Sequence, residues 1–186
     1  MAVEVWWSDL TAAGRDLLGL LDATELVRVG SLDRPADRGR SLLGAALLRV
    51  ATASRLGVAP AEVRVDRTCA DCGAPHGAPR LLGPGSALPA VSVSHSGLLV
   101  AVAVSTDGPV GVDVQRLADL ADPPTAGRWA RTEALAKAGV AGPGATGPMA
   151  LEDVSIRELV PPLGGYVAAL AAPAGAATVV RHWPPP

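Results

Sequence analysis

The chain has no phenylalanine, one tyrosine and four tryptophans. Its interior therefore has to come from Ala, Val and Leu rather than from aromatic packing. Lysine is almost missing as well: among 16 basic residues, Lys137 alone is not arginine. That bias, with the high Ala, Gly and Pro contents, fits a GC-rich coding sequence, and it makes a retained lysine worth following. The net charge of −2 supplies no general field to draw the protein to nucleic acid. No apolar run reaches the ~18 residues that a membrane span needs. The start, MAVEVWWSDL, has neither a basic n-region nor an h-region, so a cytoplasmic protein with no membrane partner is expected. There are two cysteines, Cys69 and Cys72, which excludes a disulfide framework. With His76 they offer three zinc ligands where structural sites usually have four, so they read first as two thiols in a loop.

What is present is enough for a folded core. Hydrophobic residues make up 49% of 186, charged residues 18%, and the mean hydropathy is +0.31. That describes one ordinary domain, or two small halves sharing a core. Residues 3–7, VEVWW, read as a short strand, and 8–29 carry helical patches. Leu42, Leu43, Ala46, Leu47 and Val50 recur at helical spacing, which predicts a helix from about Asp37 to Leu56, stopped by Gly57. AEVRVDR (61–67) alternates as a strand does, and the Gly/Pro-rich stretch 68–90 reads as a long loop. VSVSHS (91–96) and LLVAVAVS (98–105) read as strands joined at Ser96-Gly97, followed by VGVDVQ after a turn at 106–109. A helix is expected from about Thr125 to Ala138, a loop over 139–149, and strands at 151–159, 165–172 and 177–183. The order predicts an α+β fold of two similar halves, 1–105 and 106–186, about a pseudo-twofold axis. Ligand would then bind in the cleft between them.

Asp113 is the sharpest single signal. It is an acid inside the apolar run Val110 to Val114, and burying an unpaired carboxylate costs several kcal/mol, on the order of the charge-burial penalties of proteins. Gln115 is two residues on and shares its strand face. Glu133 and Lys137 are i and i+4 on a helix and share a face too. Two carboxylates and an amide oxygen form a hard-oxygen set suited to Mg2+, and Lys137 and His95 beside it would complement a pyrophosphate. Arg34, Arg38 and Arg40 precede or open a helix and add positive charge. Alone, each piece also has an ordinary reading: a surface Glu–Lys pair, a structural histidine, solvated arginines. Ser94 and His95 are adjacent on a strand and point to opposite faces, which argues against a Ser-His-Asp triad with Asp113.

Together the motifs resemble the Sfp-type 4′-phosphopantetheinyl transferases. GVDVQ (111–115) is similar to that family's G-[VI]-D-[VI]-[EQ] motif, and WARTEALAK (129–137) to its W-[ST]-x-K-E-[AS]-x-x-K motif. Ser94-His95-Ser96 resembles its S-H-S strand turn, DRGRSLLGAALLR its nucleotide-side helix, and CADCGAPHGAPRL the cysteine-bearing loop of actinobacterial members. The resemblance covers most of the chain. It implies the transferase fold and a Mg2+-dependent transfer of phosphopantetheine from coenzyme A to a serine of an acyl or peptidyl carrier protein, as in polyketide, nonribosomal peptide and fatty acid synthesis. It implies Asp113, Gln115 and Glu133 as metal residues, with Glu133 also the base. It assigns Lys137 and His95 to catalysis and phosphate contact, and Arg34, Arg40, Ser41 and Ser94 to coenzyme A. The 1–105 half would hold the nucleotide and 106–186 the acids, in a monomer.

Three departures bear on that expectation. Thr132 stands where the family has a lysine, and Gly77-Ala78-Pro79 replaces G-K-P, with Arg80 following. Asp113 and Glu133 are only 20 residues apart, a shorter separation than in full-size relatives. Residues 116–128 leave room for a short turn where relatives carry a flap and a carrier-receiving helix. A reduced carrier-docking surface is therefore expected, with an exposed apolar patch around Leu117 and Leu120. The competing reading is a protein of this fold that binds coenzyme A or a carrier in a regulatory role without turnover.

Overall fold

A computed structural model describes residues 2–84, 88–140 and 150–185. The loop expected over 139–149 lies almost entirely outside the described residues. Nine strands are described: β1 (Ala2–Asp9), β2 (Arg64–Asp66), β3 (Arg80–Leu82), β4 (Ala90–Ser96), β5 (Leu99–Ser105), β6 (Gly111–Arg116), β7 (Val154–Leu159), β8 (Tyr166–Pro173) and β9 (Ala177–His182). The α-helices are α1 (Ala23–Gly30), α2 (Pro35–Leu56) and α3 (Ala126–Lys137), with short 3-10 turns between elements. The α+β reading stands.

Helix boundaries follow local chemistry. Asp22 and Glu25 form a reciprocal capping box that starts α1. Pro35 occupies the first turn of α2, where its missing N–H is not needed, and Gly57 ends the helix at φ +70°. The helix thus begins two residues before the expected Asp37. Buried Arg49 on α2 bonds Glu25 Oε2 at 2.5 Å and Asp22 Oδ2 at 3.0 Å, and reaches the Val63 carbonyl. That network fixes α1 and the approach to β2 against α2.

The strands form a four-stranded sheet, β4-β5-β1-β9, a three-stranded sheet, β6-β8-β7, and the small β2-β3 pair. α2 packs on the outer face of the first sheet, where Leu43, Leu47 and Leu48 meet Trp6, Val100, Val102 and Val104. The inner face carries Val3, Val5, Trp7, Leu99 and Ala101 against Val112, Val114 and Leu170 of the second sheet. α3 covers the far side of that sheet with Ala130, Ala134 and Ala138 on Ala169 and Ala171. The result is four layers, helix–sheet–sheet–helix. The small residues of α3 let it lie close: a Cβ at Gly111 would fall 1.9 Å from the Ala134 carbonyl oxygen.

Several expectations need correction. The 61–67 strand shortens to β2, because Pro60–Glu62 forms a 3-10 turn. The 68–90 loop contains β3, which pairs with β2 and is braced by Arg80 on Asp66 at 2.8 Å. The 151–159 strand starts only at Val154, after a 3-10 turn. β9 does not stay with the second sheet; it runs parallel to β1, with Val5 opposite Val180, and so carries the end of the 106–186 segment into the first sheet. Leu117 and Leu120 are half-buried rather than an exposed patch, since the 3-10 turn at Leu117–Asp119 is tied back by Leu117 N–H to Gly165 O at 2.9 Å. Trp129, just after this segment, is exposed, at 55%.

Candidate functional site

β4 and β6 lie side by side at adjoining sheet edges and are joined through side chains. Ser92, Ser94 and Ser96 alternate along β4, so their hydroxyls line one edge. They accept the N–H groups of Val112 at 3.1 Å, Val114 at 3.1 Å and Arg116 at 2.9 Å. This serine ladder sets the height of β6 against β4, and with it the position of Asp113.

Asp113 is 2% exposed. Its Oδ1 accepts from Lys137 Nζ at 2.6 Å and Ser94 Oγ at 2.9 Å, and its Oδ2 from Gln115 Nε2 at 2.7 Å. Lys137 also donates to the Val112 carbonyl at 3.2 Å. The acid in the apolar strand is thus paired by the one lysine of the chain. Lys137 can reach it because the close approach of α3 to Gly111 sets the last turn of the helix over β6.

A cavity of about 370 Å³ opens beside this pair, between α2, β4, the 76–79 loop and β6. Its walls carry Arg28, Arg40, Arg67 and Lys137, with His76 and His95. Asp113 is the one carboxylate among the lining residues, and it is already paired. Arg40 is positioned by Asp37 and by the Gly97 carbonyl, which accepts from Nη1 at 2.8 Å. Three buried polar atoms of the wall, Arg28 Nε, Arg67 Nε and Ser41 Oγ, have no partner among the described residues. Buried donors without partners are rare, and here three belong to one cavity.

Burial first, and neighbouring positive charge second, lower the pKa values of two groups in the wall. Partial desolvation is the first cause that pulls the Arg67 pKa down to about 10, with the Arg28 charge next, while Glu25 opposes. Arg67 still stays charged at neutral pH. Desolvation at the cavity, then the Arg40 charge, then more weakly Lys137 and Arg28, lower the pKa of His95. His95 itself is open to the cavity.

The expected site residues divide. Ser41, Ser94, His95, Arg40, Asp113, Gln115 and Lys137 all line the cavity. Arg34 caps α2 from an exposed position outside the lining. Glu133 is half-buried on α3, also outside the lining, and makes no hydrogen bond or ion pair among the described residues. Lys137 thus pairs with Asp113 and not with its helical neighbour Glu133. Ser94 faces β6, while the neighbouring Val93 packs toward α2.

Arg28 and Arg67 stand in no motif of the sequence, and His76 read there only as a possible zinc ligand, not as part of this wall. For Arg67 a signal existed, because Val63, Val65 and Arg67 share the inward register of one alternating run. Arg28 sits one turn after the buried Glu25 on α1, a weaker hint.

The cavity is thus a polar, cationic pocket walled by three arginines and a lysine, chemistry that suits a polyanion of small-molecule size. No family model matches the chain, and no curated protein matches it.

Proposed function

We propose that the chain is a 4′-phosphopantetheinyl transferase that takes coenzyme A in the cationic cavity and passes phosphopantetheine to the serine of a carrier protein. The observation that carries this reading is the wall itself: Arg28, Arg40, Arg67 and Lys137 around one space, with unpartnered donors on Arg28, Arg67 and Ser41. A phosphate-rich ligand would balance the charge of these four cations, and the GVDVQ and WARTEALAK resemblances name which one. Phosphoryl transfer depends mainly on positioning and charge neutralisation, and a ring of guanidinium groups provides both. The two similar halves of the transferase fold belong to the same proposal.

Asp113 and Gln115 would hold Mg2+ at the cavity wall only after Lys137 and the Gln115 amide released the Asp113 oxygens they now bond. Bound, the metal would neutralise charge on the pyrophosphate. The remaining work falls to the chain's own groups. Lys137 and the arginines hold phosphate oxygens. Partial burial and then the Arg40 charge favour the neutral His95 imidazole, the form that can accept the carrier serine's proton from within the cavity. Glu133, the acid expected for that step, stands outside the lining.

The position of Glu133, with the short 116–128 segment, favours a second reading: a protein that binds coenzyme A in a regulatory role and does not turn it over. Mass spectrometry of an apo carrier protein, incubated with the chain, coenzyme A and Mg2+, separates the two. A gain of one phosphopantetheine supports transfer. Unmodified carrier with coenzyme A binding intact by calorimetry supports the regulatory reading. No coenzyme A binding at all sinks both. Arg67→Ala should weaken coenzyme A binding about tenfold or more, since a charged hydrogen bond contributes ~1.5–3 kcal/mol.

A further inference from the structure

The loop between β2 and β3 gathers a second set of reactive groups, apart from the Asp113 pair. Cys69, Cys72 and His76 each turn one ligand atom inward, and these atoms all lie within 4.8 Å of one another. Cys72 Sγ is 3.0 Å from His76 Nε2. Metal–sulfur bonds near 2.3 Å and metal–nitrogen bonds near 2.0 Å put tetrahedral ligand atoms roughly 3.5–3.8 Å apart, so small side-chain adjustments suffice.

The backbone is already folded for this. Cys69 N–H donates to the Ala74 carbonyl at 2.8 Å, and Gly73 N–H to the Cys69 carbonyl at 2.9 Å. Gly73 takes φ +73°, which lets the chain reverse immediately after Cys72. Gly77 N–H then closes on the Arg67 carbonyl at 2.7 Å. At Gly77 any Cβ would sit 2.8 Å from the Thr68 carbonyl oxygen, so the closure has no room for a side chain.

We infer that Cys69, Cys72 and His76 bind a zinc ion, with water in the fourth position. Two thiolates and an imidazole are a soft to borderline donor set; they select Zn2+ over Mg2+ or Ca2+. The fourth position is open because Cys72 and His76 are both exposed. Three protein ligands and one water form a tetrahedral shell of the open kind, which departs from the four-ligand shell usual for structural zinc. The consequence is structural. The ion fastens the loop whose Arg67, His76, Gly77 and Pro79 form one wall of the cationic cavity. With zinc in place the wall is pre-set before ligand arrives.

The test uses the full chain, stripped with a chelator under reducing conditions and then titrated with Zn2+ against a chromophoric competitor. One zinc per chain is expected, lost in the Cys69→Ser, Cys72→Ser double variant. Co2+ substitution in the unaltered chain provides a readout that does not depend on any variant folding. It should give a thiolate-to-cobalt charge-transfer band and the intense visible bands of a tetrahedral site. Failure to outcompete the chromophore overturns the inference. So does zinc uptake undiminished in a double variant with native circular dichroism, or cobalt spectra without the thiolate band.

Discussion

Asp113 is held by three donors, and each belongs to a different stretch of chain: Ser94 on β4, Gln115 on β6 and Lys137 on α3. Asp113→Asn keeps the shape and removes the charge. Lys137, whose side chain is 30% exposed, can turn to solvent, so the loss should be about 1–3 kcal/mol, the range for charged hydrogen bonds, rather than the larger cost of a sealed ion. Urea unfolding of the two proteins measures it; an unchanged midpoint would show that the Lys137 contact contributes nothing. His95 gives a pH signature. Its folded pKa lies below the ordinary value near 6.5, so the unfolded chain takes up a proton first as pH falls. The stability it contributes is complete above pH ~6.5 and drains away as pH drops toward the lowered folded value. The melting temperature of the unaltered chain should fall more steeply below pH 6.5 than that of His95→Gln; parallel curves would contradict the assignment. Asp113 was legible in the sequence because an acid inside an apolar strand demands a partner. That Lys137 and not Glu133 meets it was not legible. The choice depends on how α3 is rotated on β6, which is set by Ala134 against Gly111 and by nothing within the helix itself.

Among elements, the β4–β6 edge is the unusual joint. Backbone N–H groups of β6 are satisfied by hydroxyls rather than by carbonyls of a neighbouring strand. Ser92 and Ser94 are buried, at 4% and 6% exposure, so no water can readily replace them. Ser92→Ala leaves the Val112 amide buried without an acceptor and should cost about 1–3 kcal/mol, as orphaned buried donors do. Ser94→Ala removes a bond to Val114 and another to Asp113, so it should cost as much and also weaken coenzyme A binding. Ser96→Ala, at the exposed end, should cost least. Denaturant midpoints that fail to rank Ser96→Ala as the mildest would refute the ladder. The period-two pattern of VSVSHS announced a strand, but not that its polar face would dock a strand 20 residues later. That depends on a long-range pairing no local pattern encodes. β3 was hidden for a different reason: three residues inside a Gly/Pro-rich stretch are too short to show a period, and they form a strand through their pairing with β2, where Arg80 also meets Asp66.

At the scale of the whole molecule, the α+β class and the placement of most strands followed from periodicity, whereas the path of β9 did not. ATVVRH is mostly exposed, so its own pattern favours no sheet; its partner is chosen by the open edge of β1, where Arg181 meets Glu4 and stacks over Trp6 at 5.5 Å. β9 and the shared core bind the two sheets into one cooperative unit. The inner core draws Val5, Trp7 and Leu99 from the first sheet and Val112, Val114 and Leu170 from the second, all essentially sealed from solvent. Leu170 is fully buried on β8, in the layer farther from α2. Leu170→Ala should destabilise the chain by about 2–5 kcal/mol through lost transfer energy and the cavity left behind. With Trp129→Phe on α3 in both proteins, Trp6, Trp7 and Trp183 report on the first sheet by fluorescence, and far-ultraviolet circular dichroism reports on all elements. If the sheets share one core, both probes should shift together to the same lower melting temperature, although the substitution lies in the second sheet. A tryptophan transition that stays in place while the circular dichroism transition moves would mean that the halves unfold separately, and that the cavity between them is held by the serine ladder and Lys137 alone.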